Sequence, residues 1–326
     1  MKKHKSKIFF IIRFCIAFGI IYYLIANSDN LFKSLIEVNF QYLISGIVLY
    51  LVFLLATSYR WLLLLKTQNI HLTFFDTFSL TMQGYFFSLV IPGGSIVGDL
   101  LKTAFLIKKI PKDQRVKGIS SILMDRIIGM IALFSLSITS IIISLNLILK
   151  SNDNIKMLTI FIIVISLIGL CGGISVFFVN YFRKINFINN LIIKFSKSED
   201  SFVSKILESV DIYKTKYKTI LFTIILTFIF CHLNVGIILY LLTLGLGLTI
   251  PFYQVLLAVT IGNIIALIPI TPTGIGTRDY TIIAILSIGL SIENITLVPL
   301  ILTGIMVCYN LSGSLFFLLQ KSKKLD

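Results

Sequence analysis

Met157–Phe182 reads MLTIFIIVISLIGLCGGISVFFVNYF, twenty-six residues without a single charge. A helix needs about 20 apolar residues to cross a hydrocarbon layer of about 30 Å, so this stretch is long enough to span a bilayer. It is one of six such blocks. The others are residues 8–26, 41–65, 119–149, 219–244 and 297–319. Hydrophobic residues make up 57% of the 326-residue chain, above the roughly 45–50% of soluble domains. The composition therefore calls for lipid as the solvent. The first block follows Lys2, Lys3, Lys5 and Lys7 as a signal sequence would. It is long for a signal core and no small-residue cleavage site follows, so it reads as a retained span.

The formal net charge is +15. In a soluble protein that excess would suggest nucleic acid; here the basic residues sit between apolar blocks and report topology instead. With the N-terminus placed inside, segments 1–7, 60–73, 102–118, 183–218 and 320–326, together with Arg13, hold 24 of the 29 Lys and Arg. The segments expected outside hold three: Lys33, Lys150 and Lys156. Both termini are therefore expected on the cytoplasmic side of a cell membrane. No domain boundary interrupts residues 1–326, which read as one transmembrane domain. Within 183–218, Ile188, Leu191, Ile192 and Phe195 recur at helical spacing, as do Phe202, Ile206 and Val210. That pattern suits an amphipathic helix on the inner leaflet or a packed loop.

Two further apolar regions, 74–107 and 252–290, are broken by proline and glycine. The first contains Pro92-Gly93-Gly94-Ser95-Ile96-Val97-Gly98-Asp99; the second contains Pro272-Thr273-Gly274-Ile275-Gly276-Thr277-Arg278-Asp279. Both fit P-x-G-x-x-x-x-D, 180 residues apart. By charge, the first region starts and ends inside and the second starts and ends outside. Such a pair is the pattern of an inverted repeat, whose interrupted segments point to a transporter's binding site. Broken backbone at membrane depth also needs protein or a watery cavity around it. The expected fold is all-α: about six full spans plus two oppositely oriented re-entrant hairpins. Eight full spans is the alternative.

The same breaks carry the candidate site. Ser95 and Thr273 or Thr277 are expected N-caps. Helix N-termini there would offer free N–H groups to an anion, with Gly93, Gly94, Gly274 and Gly276 allowing close approach. Asp99 and Lys102 share one helix face. Asp125 and Arg126 are adjacent, so they point apart on a helix and each needs its own partner. Charges at bilayer depth cost about 2.5–3.5 kcal/mol on insertion scales, and usually mark a pathway or a buried pair. Lys102, Arg126 and Arg278 are the expected anion ligands, with Asp99 and Asp279 orienting them or carrying protons. The competing reading is that these are structural ion pairs. His232, alone in an apolar block, reads as a packing histidine. Gly169 and Gly173 read as a helix-packing pair. Tyr22, Tyr23, Tyr59 and Trp61 read as interfacial aromatics. Cys15, Cys171, Cys231 and Cys308, with no CxxC spacing, read as buried inert thiols. No phosphate-loop, zinc-protease or serine-hydrolase motif occurs, so no cofactor, metal or enzymatic activity is expected.

The glycine-proline breaks followed by an acid, with Asp125-Arg126 between them, resemble the transmembrane region of lysylphosphatidylglycerol synthase, the flippase-like or UPF0104 family. The resemblance runs over essentially the whole chain. It rests on Pro92-Gly93-Gly94 through Gly98-Asp99 and Lys102, on Asp125-Arg126, and on Thr271 through Gly276 with Asp279. It implies translocation of a phospholipid or lipid-linked sugar. Full-length synthases add a C-terminal aminoacylating domain, and this chain ends at Asp326, so only the translocating half is implied. Thr273 and Asp279 depart from residues common in the family. The leading expectation is a flippase- or scramblase-like lipid transporter, driven by a lipid gradient, the membrane potential or protons. An accessory subunit that docks a separate transferase through 183–218 is the second reading. An intramembrane transferase for a polyprenyl phosphate, using Asp99 and Asp125, is the third. A homo-oligomer is left open.

Overall fold

The computed structural model describes residues 19, 22, 38–91, 94–178, 202–268, 270–289 and 295–322. Every regular element among them is helical. Short 3-10 turns and the five-residue helix Leu145–Leu149 aside, in chain order they are α1 (Phe40–Thr67), α2 (Phe74–Val90), α3 (Ser95–Lys109), α4 (Arg115–Ile143), α5 (Asp153–Ser175), α6 (Phe202–Thr215), α7 (Tyr217–Gly245), α8 (Phe252–Ile265), α9 (Thr277–Leu286) and α10 (Leu297–Ser322). Among the described residues five helices are long and apolar enough to cross a membrane: α1, α4 with the turn before it, α5 with the turn after it, α7 and α10. They coincide with five of the six expected spans. The sixth, 8–26, lies outside the described residues, as does 183–201 of the expected amphipathic segment.

The bundle is apolar outside and mixed inside. On α5 only Thr159, Ile162 and Ser166 are buried, while Ile160, Phe161, Val164, Leu167 and Ile168 face outward. An exposed apolar band of this kind suits contact with lipid. Inside, polar side chains fasten helix to helix, as they do where lipid offers no hydrophobic drive for association. Ser140 and Thr260 hydroxyls meet at 2.9 Å. Asn234 donates to the Leu49 carbonyl at 2.8 Å. Gln254 Nε2 donates to the carbonyls of Ile285, Leu286 and Ile288 at 3.0–3.1 Å, satisfying the open C-terminal end of α9. Gly169 and Gly173 do permit close packing: a Cβ at Gly169 would lie 2.1 Å from the Phe134 ring and one at Gly173 2.8 Å from Ile131.

Two antiparallel helical hairpins sit in this frame. In α2–α3, Gly98 crosses against Ser88 and Gly84; a Cβ there would lie 1.9 Å from Ser88 Oγ and 2.4 Å from the Gly84 carbonyl. Lys109 Nζ bonds Asp76 at the base of the same hairpin. In α8–α9, Gly274 turns back on Ala266 and Gly262 faces Arg278 and Ile282. The four arms contain 17, 15, 14 and 10 residues. At about 1.5 Å per residue none reaches the ~30 Å of a hydrocarbon core. The hairpin ends meet: a Cβ on Gly94 would lie 3.7 Å from the Thr273 backbone nitrogen.

Several local expectations are corrected. The N-caps are Gly94 and Gly276, at positive φ (58° and 84°), neither with a side chain of its own to cap the helix. Ser95 and Thr277 are the first helical residues, and Thr273 lies in the turn itself, also at positive φ. Trp61 is fully buried, not interfacial, because α1 continues past it to Thr67 and turns it onto Ser121 (Nε1 to Oγ 3.1 Å). Of the described cysteines only Cys231 is buried; Cys171 and Cys308 are exposed, since the outward face of an apolar helix in lipid is as hydrophobic as its inward face. α6, the described end of the 183–218 segment, docks on the bundle through Val210 and Tyr213, with Gln68 Nε2 donating to the Ser209 carbonyl at 2.8 Å.

Candidate functional site

A polar cavity lies where α1, α2, α3 and α4 converge. Its walls are Thr57 and Arg60 from α1, Thr81, Gly84, Tyr85 and Ser88 from α2, Asp99 and Lys102 from α3, and Asp125 and Arg126 from α4. Its volume is about 40 Å³, enough for about three waters or the oxygens of one small oxyanion.

The adjacent Asp125 and Arg126 do point apart, and each finds a partner on a different helix. Asp125 accepts from Arg60 Nε at 2.7 Å, and both side chains are more than nine-tenths buried. Arg60 also donates from Nη1 to Thr227 Oγ1 at 3.2 Å. Arg126 grips Asp99 with two parallel bonds, Nη2 to Oδ1 at 2.7 Å and Nε to Oδ2. This planar fork is the stronger form of an ion pair. It is also the more open of the two, with the Arg126 side chain 44% exposed.

Lys102 is different. It is 5% exposed and forms no ion pair or hydrogen bond with any described residue. Its Nζ sits 3.6 Å from the centre of the Trp61 ring, where the ring's negative face offsets part of the cost of burial. Both carboxylates of the cavity are already engaged by arginines. With all five groups ionised, three cations face two anions and the cavity carries one unmatched positive charge. On α2, Thr81 Oγ1 is sealed from solvent and has no hydrogen-bond partner among the described residues. Buried polar groups are usually satisfied, so this orphan hydroxyl is an exception.

The second hairpin builds a separate cluster. Asp279 is fully buried and Arg278 is 3% exposed. Asp279 Oδ1 accepts from Arg278 Nη2 at 3.2 Å and from Thr303 Oγ1 at 2.7 Å. Its Oδ2 accepts from the Gly276 N–H at 2.9 Å. Arg278 also bonds Thr303 and approaches the Met306 sulfur. The cluster is neutral and both carboxylate oxygens are used.

Of the sequence-predicted residues, Asp99, Lys102, Asp125 and Arg126 come together in the cavity. Arg278 and Asp279 do not; nothing of the second hairpin lines it. The expectation of a charged space between the two hairpins is thereby corrected. The tips touch, but the charge lies beside the first hairpin only. Gly94 and Thr273 meet at the tips; Ser95 follows Gly94 in the first turn, Pro272, Gly274 and Gly276 lie in the second, and Pro92 and Gly93 lie outside the described residues. The repeat is also less symmetric than its motif. α9 begins two residues later in the pattern than α3, so Asp279 falls in the first turn and caps it, whereas Asp99 falls in the second turn and reaches α4. His232 is a packing group, donating from Nε2 to the Gly129 carbonyl at 3.0 Å across a π-helical turn, Phe228–Leu233.

Comparison with known proteins identifies the family. The family model for the lysylphosphatidylglycerol synthase TM region matches residues 10–311. The chain belongs to that family. A UPF0104 membrane protein of Pyrococcus horikoshii is 23% identical over 309 residues, covering 87% of this chain and 92% of its own length. No solved structure matches the chain. As a member of the synthase transmembrane-region family with several apolar helices, the protein is a multi-pass membrane protein.

Sequence reasoning missed Arg60 and Thr81. By charge Arg60 reads as the first residue of the inside segment 60–73. Its signal was its position, twenty residues into an apolar run that resumes as Trp61-Leu62-Leu63-Leu64-Leu65. Thr81 carried no signal, because hydroxyls are common in membrane helices.

Proposed function

We propose that this protein is a flippase- or scramblase-like transporter that moves an anionic phospholipid or a lipid-linked glycan between the leaflets of the cell membrane. In this reading α2–α3 and α8–α9 are re-entrant hairpins that enter from opposite faces, and both termini are cytoplasmic. The observation that carries it is the pairing of two helical hairpins, each too short to cross, whose broken tips meet at Gly94 and Thr273 next to a buried charged cavity. Irregular backbone in a membrane persists where protein or water covers it, and paired interrupted elements mark substrate paths in transporters built from inverted repeats. The polar headgroup would pass through the protein while the acyl chains stay in lipid. The basic segments 102–118 and 183–218 set the orientation through their lysines.

The test is translocation by the purified full chain in proteoliposomes carrying fluorescent phosphatidylglycerol, read by bleaching of the outer leaflet. Active vesicles should bleach well beyond the half expected from outer-leaflet lipid alone. Lys102→Met should slow the process at least several-fold with the fold intact. A wild-type chain that bleaches no more than empty liposomes, across phosphatidylglycerol and polyprenyl-phosphate probes, would overturn the transport reading.

A further inference from the structure

α6 has 14 residues, too few to cross a membrane, and it is docked where α1 and α4 leave the charged cavity. We propose that α6 is the inner gate of that cavity: closed in this structure, it seals the cavity on the cytoplasmic side and swings off α1 and α4 to open it there. The proposal rests on the transport reading for the side that α6 faces and for what the gate serves; the docking itself is geometry.

Placement is the first argument. Arg60 and Asp125 are walls of the cavity. One turn past Arg60 on α1 is Leu64, and beside Asp125 on α4 is Met124. Both pack with Val210 and Tyr213 of α6 in one apolar cluster, and Leu64, Met124 and Tyr213 are each at most 1% exposed. Asp125 is close enough for its charge to act on the Tyr213 hydroxyl. A separate cluster, which includes Trp61, Leu65, Leu106 and Ile122, closes the neighbouring side and holds no residue of α6. Away from the bundle α6 exposes Lys205 and Glu208, so one face is built for packing and the other for water.

Fastening is the second argument. The Gln68 N–H returns to the Leu65 carbonyl at 3.0 Å as α1 ends, so the Leu64 carbonyl belongs to the last turn, whose acceptors need partners from outside the helix. The Tyr213 hydroxyl donates to it at 3.3 Å. Gln68 Nε2 donates in return to the Ser209 carbonyl at 2.8 Å. α6 is thus held to α1 by bonds to its fraying end. Closure also has a cost: Gln68 Oε1 is sealed from solvent and has no hydrogen-bond partner among the described residues. A buried amide oxygen in that condition favours any state in which water reaches it. The hinge is the third argument. Lys216 (φ −103°, ψ 37°) is the single residue between the end of α6 and the start of α7 and is not helical. Rotation there would carry α6 away while α7 stays packed, and would uncover Met124 and the Arg60–Asp125 pair.

The experiment reads opening separately from transport. The full chain, with its native cysteines replaced and Met124→Cys added, is labelled in inside-out membrane vesicles with a charged, impermeant methanethiosulfonate. The rate follows the population of the open gate. Tyr213→Phe keeps the ring and strands the Leu64 carbonyl, and should raise the rate about two- to tenfold, the worth of one hydrogen bond. Val210→Ala trims the docking face without touching that bond and should act in the same direction. Ile122→Cys, in the cluster without α6, should label at an unchanged rate in both backgrounds. In a separate arm, Gln68→Cys and Ser209→Cys are joined before reconstitution by a short, reductant-cleavable bifunctional thiol reagent. Translocation in proteoliposomes should stop and should return on reduction. Thermal unfolding checks each fold; should Tyr213→Phe not fold, Val210→Ala decides. Equal Met124→Cys rates with and without the α6 substitutions overturn the gate. An equal rise at Ile122→Cys would mean general loosening and overturns it too, as does undiminished translocation by the bridged chain. Faster Met124→Cys labelling in a chain that translocates no probe would sink the transport reading and leave the gate standing.

Discussion

Removing Asp125 should destabilise the protein more than any other single change in the cavity. The carboxylate holds Arg60 at 2.7 Å with both side chains more than nine-tenths buried. Asp125→Ala would leave Arg60 and Lys102 as neighbouring buried cations without a counter-charge, raising the cavity from one unmatched positive charge to two. Breaking a buried pair in this way costs about 3–5 kcal/mol, because the remaining charge is stranded. Removing both partners is far milder: Arg60→Met with Asp125→Leu should recover most of the loss, since an apolar pair of similar volume is often neutral. The assay is thermal unfolding in detergent of wild type, both single variants and the double variant. The cycle should show strong coupling, with the double variant more stable than Asp125→Ala. Asp125→Ala as stable as wild type, or additive single and double effects, would refute the claim that this pair is buried and mutually dependent.

Other outcomes follow from the same geometry. Gly98→Ala places a Cβ 1.9 Å from Ser88 Oγ and 2.4 Å from the Gly84 carbonyl, so α2 and α3 must separate; a loss of about 1–3 kcal/mol or more in the same unfolding assay is expected. Asp279→Ala removes the partner of buried Arg278 and the acceptor for the Gly276 N–H, and should cost about 3–5 kcal/mol. Lys109→Ala removes a partly exposed pair with Asp76 and should change stability by less than ~1 kcal/mol.

Much of this fold was legible because lipid imposes a simple rule on length and polarity. The blocks 41–65, 119–149, 157–182, 219–244 and 297–319 each became a long helix. Gly94 and the glycines of 272–276 lie where the two helical hairpins turn, since a chain can reverse inside a helical bundle only where backbone freedom allows it. Roles within the turns were less legible. The shared P-x-G-x-x-x-x-D spacing suggested equivalent acids, yet a two-residue difference in where the helix starts makes Asp279 a cap and Asp99 a bridge to α4. The partners of Asp125 and Arg126 lie 65 and 27 residues away, and no local pattern encodes such contacts. Trp61 illustrates the same limit. An aromatic near a span end reads as interfacial until the neighbouring helices are known, and here it lies beneath Lys102.

The transport proposal requires that the two hairpins, whose ends meet at Gly94 and Thr273, enter the membrane from opposite faces. Labelling with a membrane-impermeant thiol reagent tests this most directly, in a chain whose native cysteines are replaced, at Lys108→Cys near the open end of the first hairpin and at Ser287→Cys near that of the second, both exposed positions. The account predicts that Lys108→Cys reacts only from the cytoplasmic face and Ser287→Cys only from the opposite face. Reaction of both from the same face would contradict it.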